Sequence, residues 1–308
     1  MTKRHFVTFF SKEYAIYGLT LIDSILSLHK DSLMMAMPLD QESNEILKRK
    51  STGSSRLRIL DSVETVRKIE EYREEGRSKA EAIFTVKPLI MEIAIKNIDW
   101  GDFIFYCDAD LYFFKQMPSS IGIKNRVVVL SEHLFRTSLS SYLQYGKFNA
   151  GFVGIRHNHD GLSVLEWWKN KCIESCSKEV KADSFADQKY LEQIASFESR
   201  IEVISSKAIN QSLWMIDRKS RISKGPQIDG EEIICFHFHG LKAFTTAVAP
   251  DFLRYGKLHQ SRKVLNEIYR PYVDQLLKNK DITQSFLDRD KRSFRDFMKR
   301  KQRIYWEK

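Results

Sequence analysis

Phe103-Ile104-Phe105-Tyr106-Cys107-Asp108-Ala109-Asp110-Leu111-Tyr112-Phe113-Phe114 joins an apolar run of strand length to two carboxylates that flank one small residue. A short, continuous apolar run rich in β-formers reads as a strand buried on both faces, as in a parallel sheet. Residues two apart in an extended chain point the same way, so Asp108 and Asp110 are expected to aim at one spot. Two carboxylates at the carboxyl end of a buried strand can hold a hard divalent cation, and such a cation commonly binds phosphates. In open α/β sheets ligands also gather at that end of the strands. The stretch therefore predicts a metal–diphosphate site. The plainer alternative is that Asp simply favours strand-end turns.

The flanking sequence alternates strands and helices. Residues 6–10 read as a first strand, 15–28 as a helix and 33–39 as a second strand, an opening typical of α/β nucleotide-binding folds. Residues 48–56 read as a basic, flexible loop. Residues 61–77 read as a charged helix and 83–96 as another, with Pro88 in its first turn. Further strands are expected at 126–130, 148–155, 201–204 and 233–238, and helices at 161–176 and 184–194. The sum is an α/β fold with a mixed, mainly parallel sheet. Residues 1–249 are expected to form this α/β unit, and 250–308 a basic, helical extension.

Composition sets bounds. With 308 residues, 43% of them hydrophobic and 29% charged, the chain can bury a large core and is not a disordered protein. The formal charge of +10 favours anionic partners. Most of the charge is mixed in sign, but residues 289–303 carry eight Lys or Arg against two Asp. Phe286, Phe294, Phe297, Met298, Ile304 and Tyr305 mingle with that basic run. The segment therefore either lies on an anionic membrane surface or packs on the catalytic unit with a solvated basic face. The apolar run at 6–10 is too short for a signal-peptide core, and no stretch is long enough to span a bilayer. Cys107, Cys172, Cys176 and Cys235 sit in core-like patterns rather than a disulfide or zinc spacing, which points to the cytoplasm.

Four more clusters carry chemistry. In Cys235-Phe236-His237-Phe238-His239-Gly240-Leu241-Lys242, two imidazoles alternate with aromatics. Imidazole with carboxylates suits Mn²⁺, Gly240 allows close backbone approach, and Lys242 can neutralise phosphate. In Phe84-Thr85-Val86-Lys87-Pro88, Lys87 before a Pro-led helix can sit beside an anion at the helix N-terminus. In Phe148-Asn149-Ala150-Gly151, small residues around Asn149 let a polar ligand approach. In Ser184-Phe185-Ala186-Asp187-Gln188, the spacing fits a capping-box start that puts Asp187 and Gln188 in a first helical turn facing a cleft.

Taken together and in this order, these segments resemble a GT-A glycosyltransferase. The set is similar to the glycogenin-like and galactosyltransferase-like retaining group, glycosyltransferase family 8. It is more similar still to bacterial relatives found among surface-polysaccharide enzymes, with which it shares Asp-Ala-Asp-Leu-Tyr-Phe-Phe, Asp-Gln-Lys-Tyr-Leu, His-Phe-His-Gly-Leu and Tyr-Arg-Pro-Tyr. The resemblance implies that Asp108, Asp110 and His237, rather than His239, hold Mn²⁺ or Mg²⁺ on the diphosphate of a nucleotide-sugar donor. It implies that Lys87 and Lys242 contact the diphosphate. Asn149 and Asp187 would bind the donor sugar, with Gln188 near the anomeric carbon. Thr8 and Tyr14 would hold the base and ribose. The acceptor would be a hydroxyl of a glycan or lipid-linked glycan, and the outcome retention. An inverting enzyme would instead need a carboxylate base, with Asp187 or Glu132 as candidates. One departure stands out: in glycogenin-like chains the closing Lys comes one place later, before Pro-Trp, whereas Lys242 precedes Ala243-Phe244.

Three other classes are weighed. A sugar-nucleotide nucleotidyltransferase shares α/β architecture and metal carboxylates, but no Gly-rich phosphate loop lies near the N-terminus. A nucleic-acid-binding protein would suit the charge, but no zinc-finger, RRM or KH signature is present and the bases are interspersed with acids. A catalytically silent nucleotide-sugar-binding protein would carry the same motifs.

Overall fold

The computed structural model describes residues 2–123, 125–244, 247–251, 255, 261–283 and 305–306. Its centre is a seven-stranded sheet built from β1 (Arg4–Phe10), β2 (Met34–Pro38), β3 (Leu57–Ile59), β4 (Phe103–Cys107), β6 (Val128–Glu132), β7 (Phe148–Arg156) and β8 (Ile201–Ile204). The spatial order is β3-β2-β1-β4-β7-β6-β8. All pairs are parallel except those of β7 with β4 and β6. The expected mixed, mainly parallel sheet is therefore present. The strand order reverses between β1 and β4, so the carboxyl ends of those two strands flank the crevice where ligands of such sheets bind.

Helices cover both faces. On one side Phe6, Met34, Phe103 and Phe105 pack against α1 (Ala15–Leu28) and α2 (Gln41–Ser51). On the other, Val7, Met35, Ile104 and Tyr106 pack against α3 (Val63–Glu74), α4 (Lys79–Ile95), α5 (His159–Glu174) and α6 (Tyr190–Phe197). Every residue of β4 is buried, which is why its sequence lacks polar alternation.

A second, three-stranded sheet stands beside the first. In it β5 (Leu111–Phe113) and β9 (Ile209–Gln211) flank a later strand. Three two-residue strands, β10 (Ile222–Ser223), β11 (Gln227–Ile228) and β12 (Glu231–Glu232), intervene before that strand, β13 (Cys235–His237). The hairpin of β14 (Lys242–Ala243) and β15 (Ala247–Ala249) follows. Residues 261–283 are helical, and Tyr272 stacks on Phe238 with ring centroids 3.7 Å apart. The apolar residues of the basic segment at 286, 294, 297, 298 and 304 lie outside the described residues, while Tyr305–Trp306 pairs with β15 as a strand. No helix among the described residues is long and apolar enough to cross a membrane.

Three local readings are corrected. Residues 48–51 belong to α2 rather than a loop, because Asp40 starts that helix: its Oδ1 accepts from Ser43 N at 2.7 Å. Helix α4 starts at Lys79, with Ser78 and Glu81 as a capping box, so Pro88 lies mid-helix rather than in the first turn. Lys87 is thus not at a helix N-terminus. Residues 184–189 are a turn before α6 rather than a helix. Ala186 takes φ 47°, a left-handed conformation that a helix cannot contain.

Candidate active site

Strand β4 ends at Cys107, and Asp108–Asp110 form a turn rather than the extended pair expected. Asp108 N donates to Gly151 O at 2.8 Å, and Leu111 N closes the turn on Asp108 O at 3.0 Å. The chain then enters β5, which pairs antiparallel with β13 in the register Leu111↔His237. Phe238 N donates to Asp110 O at 2.9 Å, locking the two segments together. That register sets His237 beside the acidic turn. Its Nε2 lies 3.0 Å from Asp110 Oδ1 and 3.8 Å from Asp108 Oδ2.

One ligand atom from each of Asp108, Asp110 and His237 lies within 4.8 Å of the others. Two carboxylate oxygens and an imidazole nitrogen fit Mn²⁺ and tolerate Mg²⁺. Gly151 shapes the floor of this cradle. A Cβ there would fall 2.7 Å from Asn149 Oδ1 and 2.8 Å from both Asp108 Oδ2 and His237 Cε1. His239 is not one of these three, and its Nδ1 meets the Tyr255 hydroxyl.

Burial alone would raise the Asp110 carboxyl, but the His237 ring outweighs burial and holds it below the usual carboxylate range. Conversely, burial would lower His237, and the Asp110 carboxylate raises it. A second charged cluster lies alongside. Lys87 is 3% exposed, and its ammonium reaches Asp187 Oδ2 at 2.8 Å, Asp108 Oδ1 at 3.6 Å and Ala150 O at 3.2 Å. Burial opposes that charge, and Asp108 and Asp187 more than compensate, keeping the amine protonated. Burial pushes the Asp187 carboxyl up, with Lys87 acting against it. The ammonium thus has one carboxylate and one carbonyl at hydrogen-bond distance and a second carboxylate at ion-pair distance. Tyr106 completes the group by donating to Asp108 Oδ1 at 2.6 Å.

The remaining sequence candidates divide. Asn149 is buried, and its Oδ1 accepts from Gly151 N at 2.7 Å. Gln188 is half-buried, and its amide spans Ala150 N (3.2 Å) and Tyr145 O (3.0 Å). The Asp187 carbonyl accepts from Trp168 Nε1 at 2.8 Å, which seats the 184–189 turn. Lys87, Asp108, Asp110, Asn149, Asp187, Gln188 and His237 are therefore joined through Ala150, Gly151 and one another. Thr8, Tyr14 and Lys242 are held by other elements. Thr8 is buried on β1, and its hydroxyl has no hydrogen-bond partner among the described residues. Tyr14 is 53% exposed and packs against Tyr17. Lys242 is exposed on β14, and Tyr17 fixes its neighbours: the phenol donates to Leu241 O at 3.1 Å and accepts from Ala243 N at 2.7 Å.

Sequence reading missed Tyr106, Tyr17, Asn210 and Trp214. Only Tyr106 had a signal, since it stands two places before Asp108. Asn210 contacts His237 Nδ1 through its Oδ1 at 3.2 Å, and Trp214 packs edge-on to the same ring at 5.7 Å.

No protein-family model matches the chain. It is similar to the uncharacterized protein YfnD of Bacillus subtilis (strain 168), with 26% identity over 293 residues that cover 92% of each chain. It is also similar to YfnF of the same organism, with 24% identity over 251 residues, 77% of this chain and 81% of YfnF. Among solved structures it resembles the galactosyltransferase LgtC in complex with donor and acceptor sugar analogues. The TM-score is 0.55 at 13% identity, covering 95% of this chain and 99% of LgtC. An active-site Gln-to-Glu mutant of LgtC matches with TM-score 0.52 at 12% identity, covering 89% of this chain and 95% of that one. The chain has the GT-A glycosyltransferase fold.

Proposed function

We propose that the protein is a metal-dependent glycosyltransferase of hexosyltransferase type. It would move a sugar from a nucleotide-diphosphate sugar, a UDP-sugar in our reading, to a hydroxyl of a glycan or lipid-linked acceptor. The observation that carries this is the convergence of Asp108, Asp110 and His237 at the end of β4 in a GT-A fold. A divalent cation there supplies positive charge for the departing diphosphate. Lys242 adds to that charge from the β14 hairpin. Thr8 and Tyr14 hold the base and ribose, while Asn149 and Asp187 bind the donor sugar. Lys87 acts from beneath, tying Asp187 to Asp108 so that sugar and diphosphate are held in one geometry. Gln188, its amide fixed at both ends, stands beside the anomeric carbon.

The reading includes retention. The anomeric carbon–phosphate oxygen bond breaks, the acceptor oxygen bonds the same face, and the acceptor proton passes to the leaving phosphate oxygen. Two observations support this over inversion. Asp187 is held by an ammonium at 2.8 Å, and Glu132 is paired with Lys147 at 2.9 Å, so neither suits a general base. We place the reaction in bacterial surface-polysaccharide or glycoconjugate synthesis on the cytoplasmic side, with any membrane contact made through the basic C-terminal segment. The curated relatives are bacterial, in keeping with that setting.

The test is a thermal-shift screen of nucleotide sugars with Mn²⁺ and with chelator. A UDP-hexose should raise Tm only with the metal, and NMR of the product should show the donor's anomeric configuration. No stabilisation by any nucleotide sugar in either condition would refute the reading.

A further inference from the structure

We propose that Asn210 is a positioning residue that fixes the orientation and tautomer of His237, and this rests on the metal reading above. Asn210 is fully buried on β9 and takes φ 54°, a left-handed conformation that few side-chain-bearing residues adopt. Such strain persists where the surroundings over-determine it. Here the pairing of β13 with β9 shifts register between Cys235 and Phe236, beside this residue.

Its hydrogen bonds form a directional relay. The Ser131 hydroxyl donates to Phe152 O at 3.5 Å, which leaves its oxygen to accept. Asn210 Nδ2 donates to that oxygen at 2.7 Å. The amide is thereby oriented with Oδ1 toward His237, 3.2 Å from Nδ1. An amide oxygen only accepts, so Nδ1 carries the hydrogen. With Nδ1–H fixed on the amide, Nε2 is the nitrogen that a cation would bind in place of the proton it shares with Asp110, and it is the one that faces Asp110 and Asp108. The ring is also held from the side by Trp214, whose Nε1 donates to Gln211 Oε1 at 3.2 Å. Gln211 in turn donates to Glu132 O at 2.7 Å. Residues 210–214 thus form a bracket for one imidazole.

The test is a Mn²⁺ titration of the full chain, with free ion read by electron paramagnetic resonance and folding followed by Tm. Asn210→Gly keeps a left-handed backbone and removes only the side chain. Its Mn²⁺ affinity should fall about 10- to 100-fold, the usual loss when the outer partner of a ligating imidazole is removed. Asn210→Asp retains an acceptor for Nδ1–H, with Ser131 turning to donate, and should restore near wild-type affinity. Undiminished affinity in folded Asn210→Gly would overturn the relay and leave the metal centre standing. A wild-type chain that takes up no Mn²⁺ would overturn the metal centre on which the proposal rests. If Asn210→Gly fails to fold, Ser131→Ala probes the relay from its other end: weakened Mn²⁺ binding supports it, and unchanged binding overturns it.

Discussion

Lys87 and Asp187 form an ion pair shielded from water: Nζ lies 2.8 Å from Oδ2, and each side chain is 4% exposed. Removing one partner of such a pair leaves an uncompensated charge, at a cost of about 3–5 kcal/mol. Lys87→Met should lose about that much in urea unfolding at pH 8. The penalty should depend on pH. Without the ammonium, burial and the neighbouring Asp108 charge push the already raised folded pKa of Asp187 further above the unfolded value. A carboxyl raised in the folded state favours folding at low pH and loses that contribution as pH rises through the folded pKa. The Lys87→Met deficit should therefore be smaller at pH 5 than at pH 8, and a deficit independent of pH would contradict the ionised pair.

Gly151→Ala addresses the cradle directly. The added methyl would meet three groups of the site at 2.7–2.8 Å. The clash falls on the ligand side chains rather than on the sheet ladder. Mn²⁺ uptake and transfer should fall by about two orders of magnitude, comparable to other losses of ligand geometry. Circular dichroism should remain that of the wild type. Wild-type Mn²⁺ affinity in this variant would show that the site lies elsewhere.

Stability should fall in mild acid because of buried neutral imidazoles. Burial pushes both His29 and His133 down to about 4. His29 Nε2 accepts from Met117 N at 2.9 Å, a bond that protonation of that nitrogen would break. Their folded pKa values are depressed, so the unfolded chain binds more protons between about pH 6.5 and 4. Stability is thus present above the unfolded value and lost as pH falls. Each imidazole should contribute about 2 kcal/mol of loss between pH 7 and 5. Urea unfolding of His29→Gln should show a shallower acid decline than wild type; identical slopes would remove His29 from the account.

Much of this arrangement was legible because some residues have only one physical use. The unbroken apolar run of β4 reads as a central strand, and the two carboxylates at its end mark a candidate site even though Asp also favours the strand-end turn found there. His237 was legible by its motif, but its approach to Asp110 depends on the β5–β13 register, which no local signal states. The turn at 184–189 was misread because Ser184 and Asp187 mimic a helix cap, and only the left-handed Ala186 shows otherwise. The start of α4 was misread because Pro88 is a strong breaker, whereas the Ser78–Glu81 capping box upstream was the better signal. Asn210 was invisible: it belongs to no motif and meets His237 across 27 positions of sequence.

Tyr17 carries a prediction about the donor clamp. Its phenol satisfies both Leu241 O and Ala243 N around Lys242. Tyr17→Phe leaves that buried amide without its partner, at about 1–3 kcal/mol. The hairpin should loosen, so KM for the donor should rise several-fold while kcat changes less. Steady-state kinetics would decide, and an unchanged KM would free Lys242 from this anchor.

The central claim is that Asp108, Asp110 and His237 hold a cation that binds the donor diphosphate. The most direct measurement is calorimetric titration of a UDP-hexose into wild type and Asp110→Asn, each with Mn²⁺ and with excess EDTA, after circular dichroism has confirmed both folds. Wild type should bind with Mn²⁺ and lose that binding in EDTA, and Asp110→Asn should bind weakly or not at all in either condition. Equal donor affinity in all four titrations would contradict the account.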